Sequence, residues 1–94
     1  MSKERKLFKS EEPKGRQQVS DFLEQIAGKV SEGRVILRQG GQELVLELPD
    51  NLILEIQVEE EDKRERGIQH SLEIEIKWME GGIGTVESGP LELG

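Results

Sequence analysis

The clearest pattern in the chain is a strict alternation of apolar and charged residues from Leu72 to Trp78. A period of two places Leu72, Ile74, Ile76 and Trp78 on one face of a β-strand and the charged side chains on the other. Leu52, Leu54, Ile56 and Val58 also recur with a period of two, with the polar residues Glu55 and Gln57 between the last three. Two amphipathic strands with a shared apolar face are therefore predicted near the C-terminal end of the chain.

Aligning the apolar positions of these two strands defines one antiparallel register. It pairs Val58 with Leu72, Ile56 with Ile74, Leu54 with Ile76 and Leu52 with Trp78. His70 then lies across from Glu60. The polar residues 60–67 are predicted to form a solvated loop between the strands.

A second pair of strands is predicted on either side of Gly40 and Gly41, a two-residue turn that suits the positive φ angles of a type I′ loop. In that register, apolar residues meet apolar residues and opposite charges meet. The predicted pairs are Arg34 with Glu47, Val35 with Leu46, Ile36 with Val45, Leu37 with Leu44, Arg38 with Glu43 and Gln39 with Gln42.

One amphipathic helix is predicted from Arg16 to Ser31. Gly15 suits its N-cap, Gln18 its third position and Gly33 its C-terminal stop. Its apolar stripe consists of six residues at helical spacing, namely Val19, Phe22, Leu23, Ile26, Ala27 and Val30.

Together these elements predict an α+β fold in which the helix packs on a four-stranded antiparallel meander sheet in two layers. Leu7 and Phe8 are predicted to add a short strand or to clip under the helix. The expected organisation is a basic N-terminal arm at 1–14, an α-β-β-β-β domain at 15–79 and a Gly-rich C-terminal tail at 80–94.

Composition restricts the possible classes of function more than it restricts the fold. The chain has 94 residues, a net charge of −7, no cysteine and only 3% aromatic residues, so its core is small and self-association is a plausible stabiliser. No apolar run is long enough for a signal peptide or a transmembrane helix, and a cytoplasmic location without membrane contact is expected. The basic arm is a candidate for nucleic-acid contact, and its cations are Lys3, Arg5, Lys6, Lys9 and Lys14, with Arg16 following at the start of the helix.

Candidate chemistry is sparse. His70 is the only histidine, and the acidic run 59–62 lacks the spacing of a calcium loop and is followed at once by cations. Neither Gly40-Gly41 nor Gly81-Gly82 precedes a predicted helix as the glycines of a phosphate-binding loop would. No catalytic, metal or cofactor residues and no small-molecule substrate are therefore predicted, and the protein is expected not to be an enzyme.

Apolar residues outside the predicted core are the best functional signal. Ile36, Val45 and Ile53 fall on the outer face of the predicted sheet and would lie side by side. Trp78 at the sheet rim and Val86, Leu91 and Leu93 in the tail are further candidates for partner binding. The leading hypothesis is a protein-interaction or assembly module that binds a protein partner or itself. The alternative is a nucleic-acid-binding accessory protein that uses the basic arm.

Six segments follow one another in a characteristic order, namely Phe8-Lys9-Ser10-Glu11-Glu12, Val19-Ser20-Asp21-Phe22-Leu23, Ile26-Ala27, Val30, Glu32-Gly33 and Leu72–Trp78. This order resembles the amphi-Trp domain family, small prokaryotic proteins named for amphipathic segments and a tryptophan near the end. The resemblance covers roughly residues 7–79 and leaves the tail beyond Met79 outside. It implies no established activity, cofactor or catalytic residue.

Overall fold

The computed structural model describes residues 3–80 and residue 93. The chain divides into two compact units, Met1–Leu48 and Pro49–Gly94. The elements in chain order are helix α1 (Arg16–Glu32), strands β1 (Arg34–Gln39), β2 (Gln42–Glu47) and β3 (Ile53–Asp62), a single 3₁₀ turn (Arg64–Arg66) and strand β4 (Ile68–Lys77).

Both ends of α1 are set by glycines, as the sequence predicts, and the helix is one residue longer than expected. At the start, the Gly15 N–H donates to Gln18 Oε1 at 2.9 Å. At the end, Gly33 takes a left-handed conformation with φ 85° that a side chain would strain. Its N–H donates to the carbonyl oxygens of Lys29 and Val30, each at 3.0 Å. These bonds satisfy backbone groups that the helix itself leaves open.

The first hairpin, β1–β2, has the predicted register in all six pairs. Val35 is 6% exposed and is the one buried hydrophobic residue among those the structure describes. The predicted type I′ turn is wrong, because only Gly40 has a positive φ, 59°. A type I′ turn needs positive φ at both central residues, whereas a positive φ at the first alone matches a type II′ turn.

Three contacts connect the first hairpin to the rest of its unit. Helix α1 contacts β1. The Leu48 N–H, just past β2, donates to the Gly33 carbonyl oxygen at 2.9 Å. Gln42 Nε2 donates to the carbonyl oxygen of Leu7 at 2.8 Å. The predicted strand at Leu7 and Phe8 is wrong, because this stretch is irregular and its carbonyl is bonded by a side chain rather than by a strand.

The second hairpin, β3–β4, also has the predicted register, including Val58 opposite Leu72 and Glu60 opposite His70. The predicted pair of Leu52 with Trp78 is not part of the ladder, because β3 begins at Ile53 and β4 ends at Lys77. Trp78 lies just beyond the strand and is half-buried. The predicted loop at 60–67 is too long. Residues 59–62 continue β3 because they pair with residues 68–71 of β4.

A tight turn replaces that loop. The Lys63 N–H donates to the Gly67 carbonyl oxygen at 2.8 Å. Asp62 Oδ1 accepts from the Arg64 N–H at 2.7 Å, an Asx-type bond that closes the turn locally. Gly67 has φ 91° and Arg64 has φ 60°. The reversal therefore takes five residues, 63–67, instead of eight.

The α+β class is confirmed, with one helix and four antiparallel strands in the described residues. The strands pair as two two-stranded sheets, β1 with β2 and β3 with β4. A single meander would also need β2 to pair with β3, and the meander and its two-layer packing stay predictions. The same holds for the boundaries at residues 14 and 79. The division after Leu48 falls inside the domain predicted at 15–79.

Candidate functional site

The outer face of the first hairpin carries a small apolar patch inside a charged frame. Ile36 lies directly opposite Val45, and they are 38% and 39% exposed. On one side Arg38 Nε lies 2.7 Å from Glu43 Oε2, and on the other Arg34 Nε lies 3.2 Å from Glu47 Oε1. Exposed ion pairs of this kind contribute only about 0.2–1 kcal/mol each. Their larger effect is to surround two exposed aliphatic side chains with balanced charge.

An open groove of about 790 Å³ adjoins this patch between the N-terminal segment, α1 and β1. Ile36 belongs to both, because it also lines the groove. Charged side chains lie at the groove as well, among them Glu12, Lys14, Asp21 and Arg38. Its apolar lining includes both phenylalanines of the chain, and consists of Phe8, Val19, Phe22, Leu23, Ile36 and Leu37.

Sequence reasoning missed this groove. The helical stripe predicts Phe22 and Leu23 as core residues, yet they are 53% and 45% exposed. Periodicity shows which face of a helix is apolar but not how much of it is covered. The signal that could have marked the groove is composition, since two of the three aromatic residues lie in this part of a chain that has few.

Two further predicted contact residues, Ile53 and Trp78, lie in the second unit. Both are half-buried, and Ile53 pairs with Lys77. The three-residue outer patch therefore stays a prediction, as does partner binding by Trp78. In the tail, Val86 and Leu91 lie outside the described residues, and Leu93 is exposed.

The apolar face of the second hairpin is the largest departure from expectation. The sequence predicts it as core, yet six of its side chains are between 39% and 71% exposed. Alternation places these residues on one face but does not supply a covering element, and a two-stranded ladder has none of its own. The six are Leu54, Ile56, Val58, Ile68, Leu72 and Ile74.

The opposite face of the second hairpin is acidic. Glu55 lies directly across from Glu75, a repulsive pair. Lys77 Nζ lies 3.1 Å from Glu55 Oε1 and 3.7 Å from Glu75 Oε1, and it offsets that repulsion. The hydrogen bond to Glu55, reinforced by the charges of both carboxylates, raises the pKa of Lys77.

The candidate histidine site is an exposed strand pair. His70 Nδ1 lies 3.7 Å from Glu60 Oε2 across the ladder. Because residues 59–62 form a strand, their carboxylates alternate between its two faces instead of converging. Within residues 3–80, no group of three or more His, Asp or Glu side chains is placed to hold a metal ion.

Two further observations concern partners. In the basic arm, Lys14 Nζ lies 3.1 Å from Glu12 Oε2, so part of its positive charge is paired locally. No helix among the described residues has the length and apolar character needed to span a bilayer.

The order of the elements, the two confirmed registers and the tryptophan that follows β4 agree with the family resemblance. The family model described as "Amphi-Trp domain" matches residues 1–94. The chain belongs to the Amphi-Trp domain family. The predicted limits of 7–79 are wrong, since the Amphi-Trp match also includes the N-terminal arm and the tail. Comparisons with curated proteins and with solved structures find no match.

Proposed function

We propose that this Amphi-Trp domain is a small non-enzymatic module for protein interaction or assembly. It contacts partners through the outer sheet face, an edge strand or the C-terminal tail. The observation that carries the proposal is the exposed pair Ile36 and Val45, framed by two ion pairs and continuous with an aromatic-lined groove.

An apolar centre within a polar rim is the usual anatomy of a protein contact surface. Aromatic side chains in an adjoining depression are typical anchor points for a partner. Phe8 and Phe22 offer such points, and Ile36 joins them to the outer face. The partner suited to this surface is a protein segment with one or two apolar side chains flanked by charges of both signs.

The test is co-purification from the native cell with tagged wild type and two matched variants. Val45→Glu places a charge in the centre of the patch. Gly28→Glu adds the same charge to the same unit, on an exposed helix residue outside the groove lining with nothing within 4 Å of an added Cβ. We expect a specific protein to be retained by wild type and Gly28→Glu, and retention to fall at least about tenfold with Val45→Glu.

Far-UV circular dichroism serves as the folding control. Both variants should keep the helical signal of the wild type because Val45 and Gly28 are exposed. A partner bound equally by all three proteins would contradict the outer-face proposal. The nucleic-acid alternative and the cytoplasmic location stay predictions.

A further inference from the structure

The second hairpin has two faces of opposite character. One face presents Val58 opposite Leu72, Ile56 opposite Ile74 and Leu54 opposite Ile76, three successive rows without a charge. The other presents carboxylates on five of its ten positions, namely Glu55, Glu59, Glu61, Glu73 and Glu75. A two-stranded hairpin in water is marginally stable unless its apolar face is covered. This hairpin has ten residues in each strand, so a large apolar area has to be shielded from water.

We propose that a second copy of this chain covers that face, with the two β3–β4 hairpins stacked apolar face to apolar face about a two-fold axis. This contact is separate from the partner surface proposed above and does not depend on it. A two-fold interface brings the same patch of both subunits together, so the patch must be complementary to itself. The three aliphatic rows meet that requirement because they carry no charge, and the charged residues of the same face, Glu60, Asp62 and His70, lie beyond them toward the turn.

The exposed area agrees with a dimer contact. The five exposed side chains of these rows, 39% to 71% exposed, present on the order of 500 Å² of apolar surface, within the range of the largest patch of a typical monomer. Two such faces would bury about 1,000 Å² in total, the area at which specific protein interfaces begin. One copy of the same face is therefore sufficient, and a larger partner is not needed.

Charge determines which surface of the hairpin can be shared. Stacking through the acidic face would bring together Glu55, Glu73 and Glu75 of both copies. Joining the copies edge to edge would extend the same acidic face into a wider one, which charged side chains on a sheet normally discourage. The apolar face is the surface on which copies meet without this repulsion.

Helix α1 is less well suited than a second hairpin to cover this apolar face. The apolar stripe of α1 already has neighbours within its own unit, since Phe22 and Leu23 line a groove with Phe8 and Ile36. Coverage of the second hairpin by α1, from the same chain or from a second copy, is nevertheless a distinct arrangement with distinct consequences. The experiment below separates it from the shared-face dimer.

The first measurement is the mass of the full chain in solution by size-exclusion chromatography with light scattering, over a dilution series. Wild type should have twice the chain mass of 10.6 kDa. Val58→Lys, on a residue that is 71% exposed in the centre of the face, should raise the dissociation constant at least about 100-fold. Gln57→Lys makes the same chemical change on the next residue, which faces the carboxylates, and should leave the mass unchanged.

The second measurement keeps the proposal testable if Val58→Lys fails to fold. The chain has no cysteine, so a single one is a unique probe. Stacked sheets lie about 10 Å apart, and a bis-maleimide of that span should join two copies of Val58→Cys. Gln57→Cys, on the far face, should give no covalent dimer.

A wild type that stays at the chain mass at about 100 μM would overturn the proposal, because it excludes a shared-face dimer with a dissociation constant below that concentration. A dimer in which Val58→Cys is not cross-linked would also overturn it, in favour of coverage by α1 or another segment. Equal loss of mass in Val58→Lys and Gln57→Lys would show that charge rather than the apolar face controls association.

Discussion

The two hairpins share antiparallel geometry but differ in what lies against them. The first is six residues long in each strand, contacts α1 and buries Val35 at 6% exposure. The second is ten residues long in each strand, and its most exposed apolar side chain, Val58, is 71% accessible. The same alternating pattern therefore gives a partly covered surface in one unit and an open one in the other.

Their charges differ as well. The outer face of the first hairpin pairs Arg34 with Glu47 and Arg38 with Glu43 across the strands. The corresponding face of the second places Glu55 opposite Glu75, and Lys77 is its one cation among the strand residues. The first hairpin thus offers a balanced surface suited to a partner of mixed charge, and the second repels copies of its own acidic face. The alternation of apolar and polar residues determines how the strands pair. The charges on each face, and the elements that lie against it, determine which face is open to a partner.

The largest expected effect is from a charge placed in the one buried position. Val35→Asp would bury a carboxylate without a partner, and we expect it to cost at least about 3 kcal/mol and to unfold the first unit. Urea denaturation followed by circular dichroism measures this loss. Ile36→Asp is the control, on the next residue and the exposed face, and should cost about 1 kcal/mol. Equal losses of unfolding free energy in the two variants would mean that the two faces of the first hairpin are equally exposed to solvent.

An intermediate effect is expected where α1 joins the first hairpin. Gly33→Ala should destabilise the protein by about 1 kcal/mol because its φ of 85° is unfavourable for a residue with a Cβ. Steric contact is not the cause, since the added Cβ would lie 3.6 Å from the Leu48 carbonyl oxygen.

Gly28→Ala is the matched control for this substitution. It lies inside α1 with nothing within 4 Å of the added Cβ, so it should raise the unfolding free energy by up to about 1 kcal/mol. Urea midpoints of the two variants should therefore move in opposite directions from wild type. Movement in the same direction would contradict a left-handed helix end at Gly33.

The smallest effect concerns the acidic face of the second hairpin. The pKa of Lys77 is raised above its ordinary 10.5 by Glu55 and Glu75, so folding favours the charged lysine. The resulting stability is fully present below the ordinary pKa and is lost as the pH rises through the higher folded pKa. Thermal midpoints of wild type should therefore fall more steeply at alkaline pH than those of Lys77→Met.

Glu55→Gln provides a second check on the same interaction, because it removes the carboxylate that contributes most to the shift. Its alkaline decline should also be shallower than that of wild type. Parallel curves for wild type and both variants would mean that the Lys77 contacts do not persist in solution. The effect is expected to be small because the side chain is exposed to solvent and salt.

Local features of this chain were predictable from sequence. The bounds of α1 follow from Gly15 and Gly33, and both hairpin registers follow from matching apolar and charged positions. The exposed pair Ile36 and Val45 follows from the same register. Each of these depends on residues close in sequence or on a one-dimensional alignment of two strands, and a slip by one residue would reverse every face.

Errors arose where local signals compete. The acidic residues 60–62 predict a loop by composition, but pairing with β4 extends the strand through them. Charged residues disfavour strands only weakly when one face is solvated. The turn at Gly40 is of a different type from that predicted, since two glycines permit several turn types and the sequence does not select among them.

By itself, the sequence determined the family, the elements and the faces on which their side chains lie. Only the tertiary structure decided which of those faces is covered, so that Val35 is buried whereas Val58 and Leu72, which alternate in the same way, are exposed. The physical reason is that periodicity is a property of a few neighbouring residues, whereas burial requires another element to lie against the face. That requirement leaves the apolar face of the second hairpin as the surface that a second copy is proposed to cover.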